Sequence, residues 1–303
     1  MRRRLCLLLR FPNLPPDDRH GRPLRQPHRA LADAVDFFVS SFIPFLLYFH
    51  YMRLDITVRD LGEIDAILAF LKKEKISRVS VTHTGKAISP IDVAERLRVQ
   101  MPNLDIMVYL STKYYHSGAI ADGRSAFRKA FEHVKQIGIS SVLIVSGHPR
   151  TDFDSIEGLR EIFDHRVADG VDVYCAFNPY FDPGRLREEQ ERLSAKCGFS
   201  FVKGVCFQMG MDVGKLRKGV ELVKSVRDDL TLYASVPVPG PMTREVLKDA
   251  SLYGVFLPNS YLLDDELAEE MTNEYLKACK ELRIDSLVFA PNQEEFSTYK
   301  KLF

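Results

Sequence analysis

The stretch GISSVLIVSGHPRTD, Gly138 to Asp152, decides the fold. A short run rich in Val and Ile ends abruptly in Ser146-Gly147-His148-Pro149, the text of a buried parallel strand that runs out into a loop. Loops at the carboxyl ends of such strands are where α/β proteins bind ligands. His148 is therefore read as a site group or as an ordinary loop residue, and this stretch alone leaves both readings open.

Runs of the same kind recur from Met52 onward. They are RLDITV (53–58), RVSVT (78–82), LDIMVYL (104–110), SVLIVSG (141–147), VDVYCAF (171–177), FVKGVCF (201–207), LTLYASVPV (230–238) and SLVFAP (286–291). Helical text lies between them. In LGEIDAILAFLKKEK, Leu61, Ile64, Ile67, Leu68 and Leu71 share one face. SPIDVAERLRVQ opens with Ser89 as N-cap and Pro90 at the first helical position. DDELAEEMTNEYLKACKEL carries acids in its first turn and lysines in its last, as the helix dipole favours. Eight strand–helix alternations over about 250 residues predict an α/β fold of the (β/α)8 TIM-barrel type. A doubly wound open sheet is the alternative, but no GxGxxG follows the first strand. GAIADGRS (118–125) has P-loop spacing with Arg124 in place of lysine, which is not an equivalent phosphate-binding group.

With 42 basic and 41 acidic side chains in 303 residues, nothing marks the chain as a nucleic-acid binder. Cys6, Cys175, Cys197, Cys206 and Cys279 are scattered without CxxC spacing, which favours reduced thiols in an intracellular, cytoplasmic protein. No HExxH or paired Cys/His motif suggests a metal. Residues 1–51 differ in character, with eight arginines and no lysine. Their apolar run, Phe37 to Phe49, contains Pro44 and is shorter than the roughly 20 residues a membrane span needs. The segment is read as a disordered or misassigned extension, with a mitochondrial presequence as the alternative, and residues 52–303 as the barrel. Barrels often self-associate, which leaves a homo-oligomer open, although no interface signal stands out.

In a barrel the functional groups project from the carboxyl ends of the strands. Those ends read Asp55, Thr82-His83, Tyr109, Ser146-Gly147-His148, Asn178, Gln208 and Pro291-Asn292, a polar ring suited to a large heterocycle. Asp55 is a carboxylate inside strand text. Desolvation there would raise its pKa and make it a proton donor, or it caps or pairs locally. Gly147 permits close backbone approach to a ligand or simply forms a turn. Gln208 could read an amide-like ring edge or be an ordinary strand-end residue. FNPYFDP (177–183) could cover a flat cofactor, while turn formation alone also explains its prolines. His83, Tyr114, Tyr115 and His116 read as loop surface.

These segments resemble the flavin-dependent methylenetetrahydrofolate reductases, from about Arg53 to the C-terminus. RVSVTHTG is similar to the family's second strand, and GISSVLIVSGHP to the fourth, which usually ends in Arg-Gly-Asp-x-Pro. FNPYFDP keeps the proline spacing of the family's Tyr-Pro-Glu-x-His-Pro loop, and LRIDSLVFAPNQEE resembles its final segment. The resemblance implies an FAD surrounded by Thr82, Tyr109, Ser146, Gly147, His148, Asn178 and Asp182. It places Gln208 against the folate ring or the nicotinamide and Asn292 toward the folate-like substrate, with NADH or NADPH as reductant. Asp55 falls where the family has the glutamate that protonates the folate so that its methylene bridge opens to an iminium. The departures are Asp for Glu at 55, Ser146 for arginine, His148 for aspartate, Asn178 for tyrosine and Gln293 for arginine. They favour a divergent member or a barrel that has lost the chemistry and binds or assembles. An unrelated barrel enzyme using His148 as acid or base is a third reading.

Overall fold

A computed structural model describes residues 52–83, 88–116, 122–148, 151–248 and 254–303. The readings of residues 1–51 lie outside the described residues.

Eight parallel strands close into a barrel in sequence order, the predicted (β/α)8 architecture. They are β1 (Met52–Ile56), β2 (Arg78–Val81), β3 (Asp105–Ser111), β4 (Ser141–Val145), β5 (Asp172–Phe177), β6 (Val202–Phe207), β7 (Thr231–Pro237) and β8 (Asp285–Phe289). Ten helices are described: α1 (Ile64–Glu74), α2 (Pro90–Gln100), α3 (Gly123–Gln136), α4 (Ser155–Asp164) and α5 (Pro183–Cys197), then α6 (Val213–Val226), α7 (Pro241–Leu247), α8 (Asn259–Leu263), α9 (Asp265–Leu282) and α10 (Gln293–Tyr299). The closing seam pairs β1 with β8, Leu54 against Val288 and Asp55 against Phe289. β4 stops at Val145, two residues short of the apolar text, because Gly147 turns to φ +74°.

Period-two alternation sorts the strand residues. Val79, Val81, Ile106, Val108, Val142, Ile144 and their equivalents face outward and pack under the helices. The opposite face fills the barrel with Met107, Leu143, Tyr174, Cys206, Tyr233 and Leu287. Below this apolar layer, charge closes the amino end. Arg53, 2% exposed, donates to Asp105 Oδ2 at 2.7 Å and to the Val79 carbonyl at 2.9 Å. Arg78 reaches the same Asp105 oxygen at 3.1 Å, Asp285 at 3.3 Å and the Tyr233 hydroxyl at 2.9 Å. Arg53 is deeply buried while the Asp105 side chain is 40% exposed, so the guanidinium depends on these partners to offset its desolvation.

Several helices start on a side-chain cap. Ser89 accepts from the Ile91 N–H at 3.2 Å with Pro90 following, as the sequence predicts. Asp122, Asp154, Asp182, Asp212 and Asp264 do the same for α3, α4, α5, α6 and α9. Arg124, the residue that spoils the P-loop spacing, bonds Glu157 at 2.6 Å and ties α3 to α4. Among the described residues no helix is long and apolar enough to cross a membrane.

Candidate active site at the carboxyl end of the barrel

Above the apolar layer the barrel opens. The inward positions nearest the carboxyl ends, Asp55, Tyr109, Val145, Ala176, Ser235 and Phe289, are each partly exposed, while their outward-facing strand neighbours are mostly buried. An inward residue on a closed barrel meets water only through the mouth, so these side chains line a well. Asp55 sits in it next to Tyr109, whose hydroxyl donates to Asp55 Oδ1 at 3.0 Å. Burial pushes the Asp55 carboxyl up to about 7, against smaller opposing contributions from Ser80, Tyr109 and Arg53. At neutral pH this carboxyl is therefore divided between a proton-bearing and a charged form. Burial, followed by the charge of Asp55, also raises the pKa of the Tyr109 hydroxyl, which keeps it protonated and a donor.

The other residues expected at the site are placed as follows. Thr82 shares a hydrogen bond with Thr57 at 2.9 Å and donates to the Ile56 carbonyl at 3.2 Å. Ser146 accepts from the Ser155 N–H at 3.0 Å and pairs with its hydroxyl at 3.0 Å, which fixes α4 to the end of β4. Gly147 has no room for a side chain, since a Cβ there would lie 2.5 Å from Lys113 Cδ and 2.6 Å from Ser111 Oγ. His148 stands exposed beyond it. Asn178 is buried with both ends of its amide engaged, donating to the Gly254 carbonyl at 2.7 Å and accepting from the Tyr180 N–H at 3.0 Å. Asp182 caps α5 at 3.0 Å. In the FNPYFDP loop, Tyr180 turns into the core, where its hydroxyl meets that of Tyr275 at 2.5 Å. Gln208 is half-buried, and its side-chain oxygen accepts from the Met209 N–H at 3.1 Å. Asn292 caps α10 at 2.8 Å. It also lines a pocket of about 540 Å³ with Asp55, Thr57, Arg59, Phe70 and Pro291, so Asp55 and Asn292 share one cavity.

Thr82, Ser146, Asn178 and Asp182 thus all make bonds within the protein. These four side chains therefore each have a structural role in the protein, whatever else they contact. Among the described residues no cluster of His, Cys, Asp or Glu is placed to hold a metal ion.

The expectation that His83 and Tyr114 are loop surface is corrected. His83 is half-buried, its Nδ1 accepts from the Ser111 N–H at 3.2 Å, and its ring lies 4.2 Å from that of Tyr114. Burial, with help from Lys113, lowers its pKa to about 4, so His83 is neutral with its proton on Nε2. Tyr115 packs edge-on against Phe127 at 5.4 Å and is likewise no surface residue. His83 directly follows Thr82 at the strand end, and that position was the available signal.

No family model matches the chain, and no curated protein does. Among solved structures, it is similar to an uncharacterized protein from Clostridium thermocellum that binds two copies of 5-methyl-5,6,7,8-tetrahydrofolic acid. That alignment has a TM-score of 0.58 and 14% identity, covering 83% of this chain and 92% of the other. A dihydrodipicolinate synthase from Thermotoga maritima aligns with a TM-score of 0.43 and 12% identity over 77% of this chain and 78% of the other. At 14% identity the first likeness establishes a shared barrel fold.

Proposed function

We propose that the well binds a reduced folate-like heterocycle and that Asp55 delivers a proton to a nitrogen of the bound ring. The observation that carries this reading is a carboxyl titrating at about 7, held by the Tyr109 hydroxyl at 3.0 Å inside a partly open barrel mouth. A pteridine is flat, apolar on its faces and edged with donors and acceptors, which suits an apolar floor under a polar rim. Support also comes from the folate ligand of the Clostridium thermocellum barrel, which shares this architecture.

Asp55 has the properties of a general acid, since its neutral form is populated at physiological pH and its side chain lines the well. Tyr109 holds that carboxyl in position. Reduction by NADH or NADPH through FAD is the redox extension of the proposal. Because several of the expected flavin contacts, Thr82, Ser146, Asn178 and Asp182, also serve internal bonds, no step is derived through the flavin. These internal bonds favour, as a second reading, a barrel that binds the ring without reducing it.

Equilibrium dialysis of the full chain against 5-methyltetrahydrofolate and, separately, against FAD tests both halves. Saturable folate uptake, weakened in Asp55→Asn, is the expected result. FAD uptake that bleaches anaerobically with NADH or NADPH would establish the reductase. A folded chain that takes up neither compound would overturn the reading.

A further inference from the structure

We propose that Lys113 and His83 form an anion-binding rim above the well, which holds a carboxylate- or phosphate-bearing tail of the ligand. This rests on the reading of the well as a ring site and adds a second contact that fixes the ligand's orientation.

The rim is built at the ends of β2 and β3. The Tyr114 ring carries His83 on one contact, at 4.2 Å, and the Lys113 ammonium on another, with Nζ at 4.9 Å from the centroid. The Ser111 N–H occupies His83 Nδ1, so Nε2 bears hydrogen and is a donor. Among the described residues no group accepts that hydrogen, and no carboxylate lies within ion-pair distance of Lys113. Lys113 is half-buried, which makes its missing counter-charge more costly than at an open surface. The buried Ser111 hydroxyl beside it also lacks a partner. Gly147 is pressed against both Lys113 and Ser111 in a left-handed conformation, and any side chain there would displace the lysine. One cation and one neutral donor therefore share the Tyr114 ring at a strand end, with no anion among the described residues to bind.

Their position relative to the well is set by β3. Ser111, whose N–H holds His83, follows Tyr109 by two residues on the same face and so lies roughly 7 Å further along the strand toward its carboxyl end. A ring resting on the Asp55–Tyr109 pair would direct a substituent past Lys113. A carboxylate or phosphate there gains a charge-assisted hydrogen bond in a partly desolvated setting.

The test uses the full chain and its Lys113→Gln and His83→Gln variants, each checked for unchanged circular dichroism. Four probes are titrated: 5-methyltetrahydrofolate, the tail-less 6-methyltetrahydropterin, glutarate and pyrophosphate. Lys113→Gln is expected to weaken the folate about tenfold, leave the pterin unchanged and abolish the salt dependence of folate binding. A glutarate effect lost in Lys113→Gln identifies a carboxylate tail, and a pyrophosphate effect lost in that variant identifies a phosphate. If folate and pterin fail to bind while an anion still discriminates the variants, the ring reading falls and the rim stands. If no probe distinguishes wild type from Lys113→Gln or His83→Gln, the rim proposal is wrong.

Discussion

Asp55 is governed by where its strand puts it. The sequence showed a carboxylate within a barrel strand, and desolvation was the reason to expect a raised pKa. The structure supplies that burial, the Tyr109 donor and a carboxyl at about 7. The sign of the effect on stability follows directly. Between an unfolded value near 4 and the folded value near 7, the native state holds a proton that the unfolded chain has released, so stability falls as pH rises through that window. Above it, no further loss comes from this group. Asp55→Asn removes the ionisable group, so the variant should match wild type near pH 4 and exceed it by about 2–4 kcal/mol at pH 8. Contact with water in the well keeps the figure from being larger. Urea unfolding of both proteins at the two pH values measures the difference, and an equal gap at both would show that Asp55 is not buried as described. His83 was missed at this scale because its partner, the Ser111 N–H, comes from a strand 28 residues away.

Elements were more legible than contacts. The amphipathic stripe of α1, the Ser89-Pro90 start of α2 and the acid-to-lysine gradient of α9 are local patterns, and the helices lie where those patterns put them. Strand ends were read too long at β1, β4 and β8, because apolar text continues past the point where the hydrogen-bond ladder stops. Long-range links carried no local signal. Asn178 looked free for a cofactor, yet its donor is taken by the carbonyl of Gly254, 76 residues later. Glu295 is another such link. It is buried and accepts from the Met242 and Thr243 N–H groups at 2.5 and 3.0 Å and from the Thr243 hydroxyl at 2.6 Å, so a carboxylate on α10 caps the start of α7. Glu295→Ala strands three donors and should cost about 2–4 kcal/mol by urea unfolding, with Glu295→Gln restoring part of it. A loss under 0.5 kcal/mol would mean that water replaces the carboxylate there.

At the scale of the whole molecule, the barrel divides into three functional heights. Ion pairs around Arg53 and Arg78 close the amino end, an apolar layer forms the floor, and the half-exposed ring around Asp55 opens to solvent. The fold was legible because eight short apolar runs alternate with helical text. The charged closure was not, since Arg53 reads as an ordinary strand-start residue until the barrel brings Asp105 to it. This layering puts a carboxyl titrating at about 7 at the base of the well, so the proposed binding of a ring there would be linked to its protonation. Calorimetric titration of the full chain with 5-methyltetrahydrofolate at pH 6 and pH 8 tests that link most directly. Binding should be tighter at pH 6, where Asp55 carries its proton, and Asp55→Asn should remove the difference. Equal affinity of the wild type at both pH values, or no binding heat from a folded chain, would contradict the account.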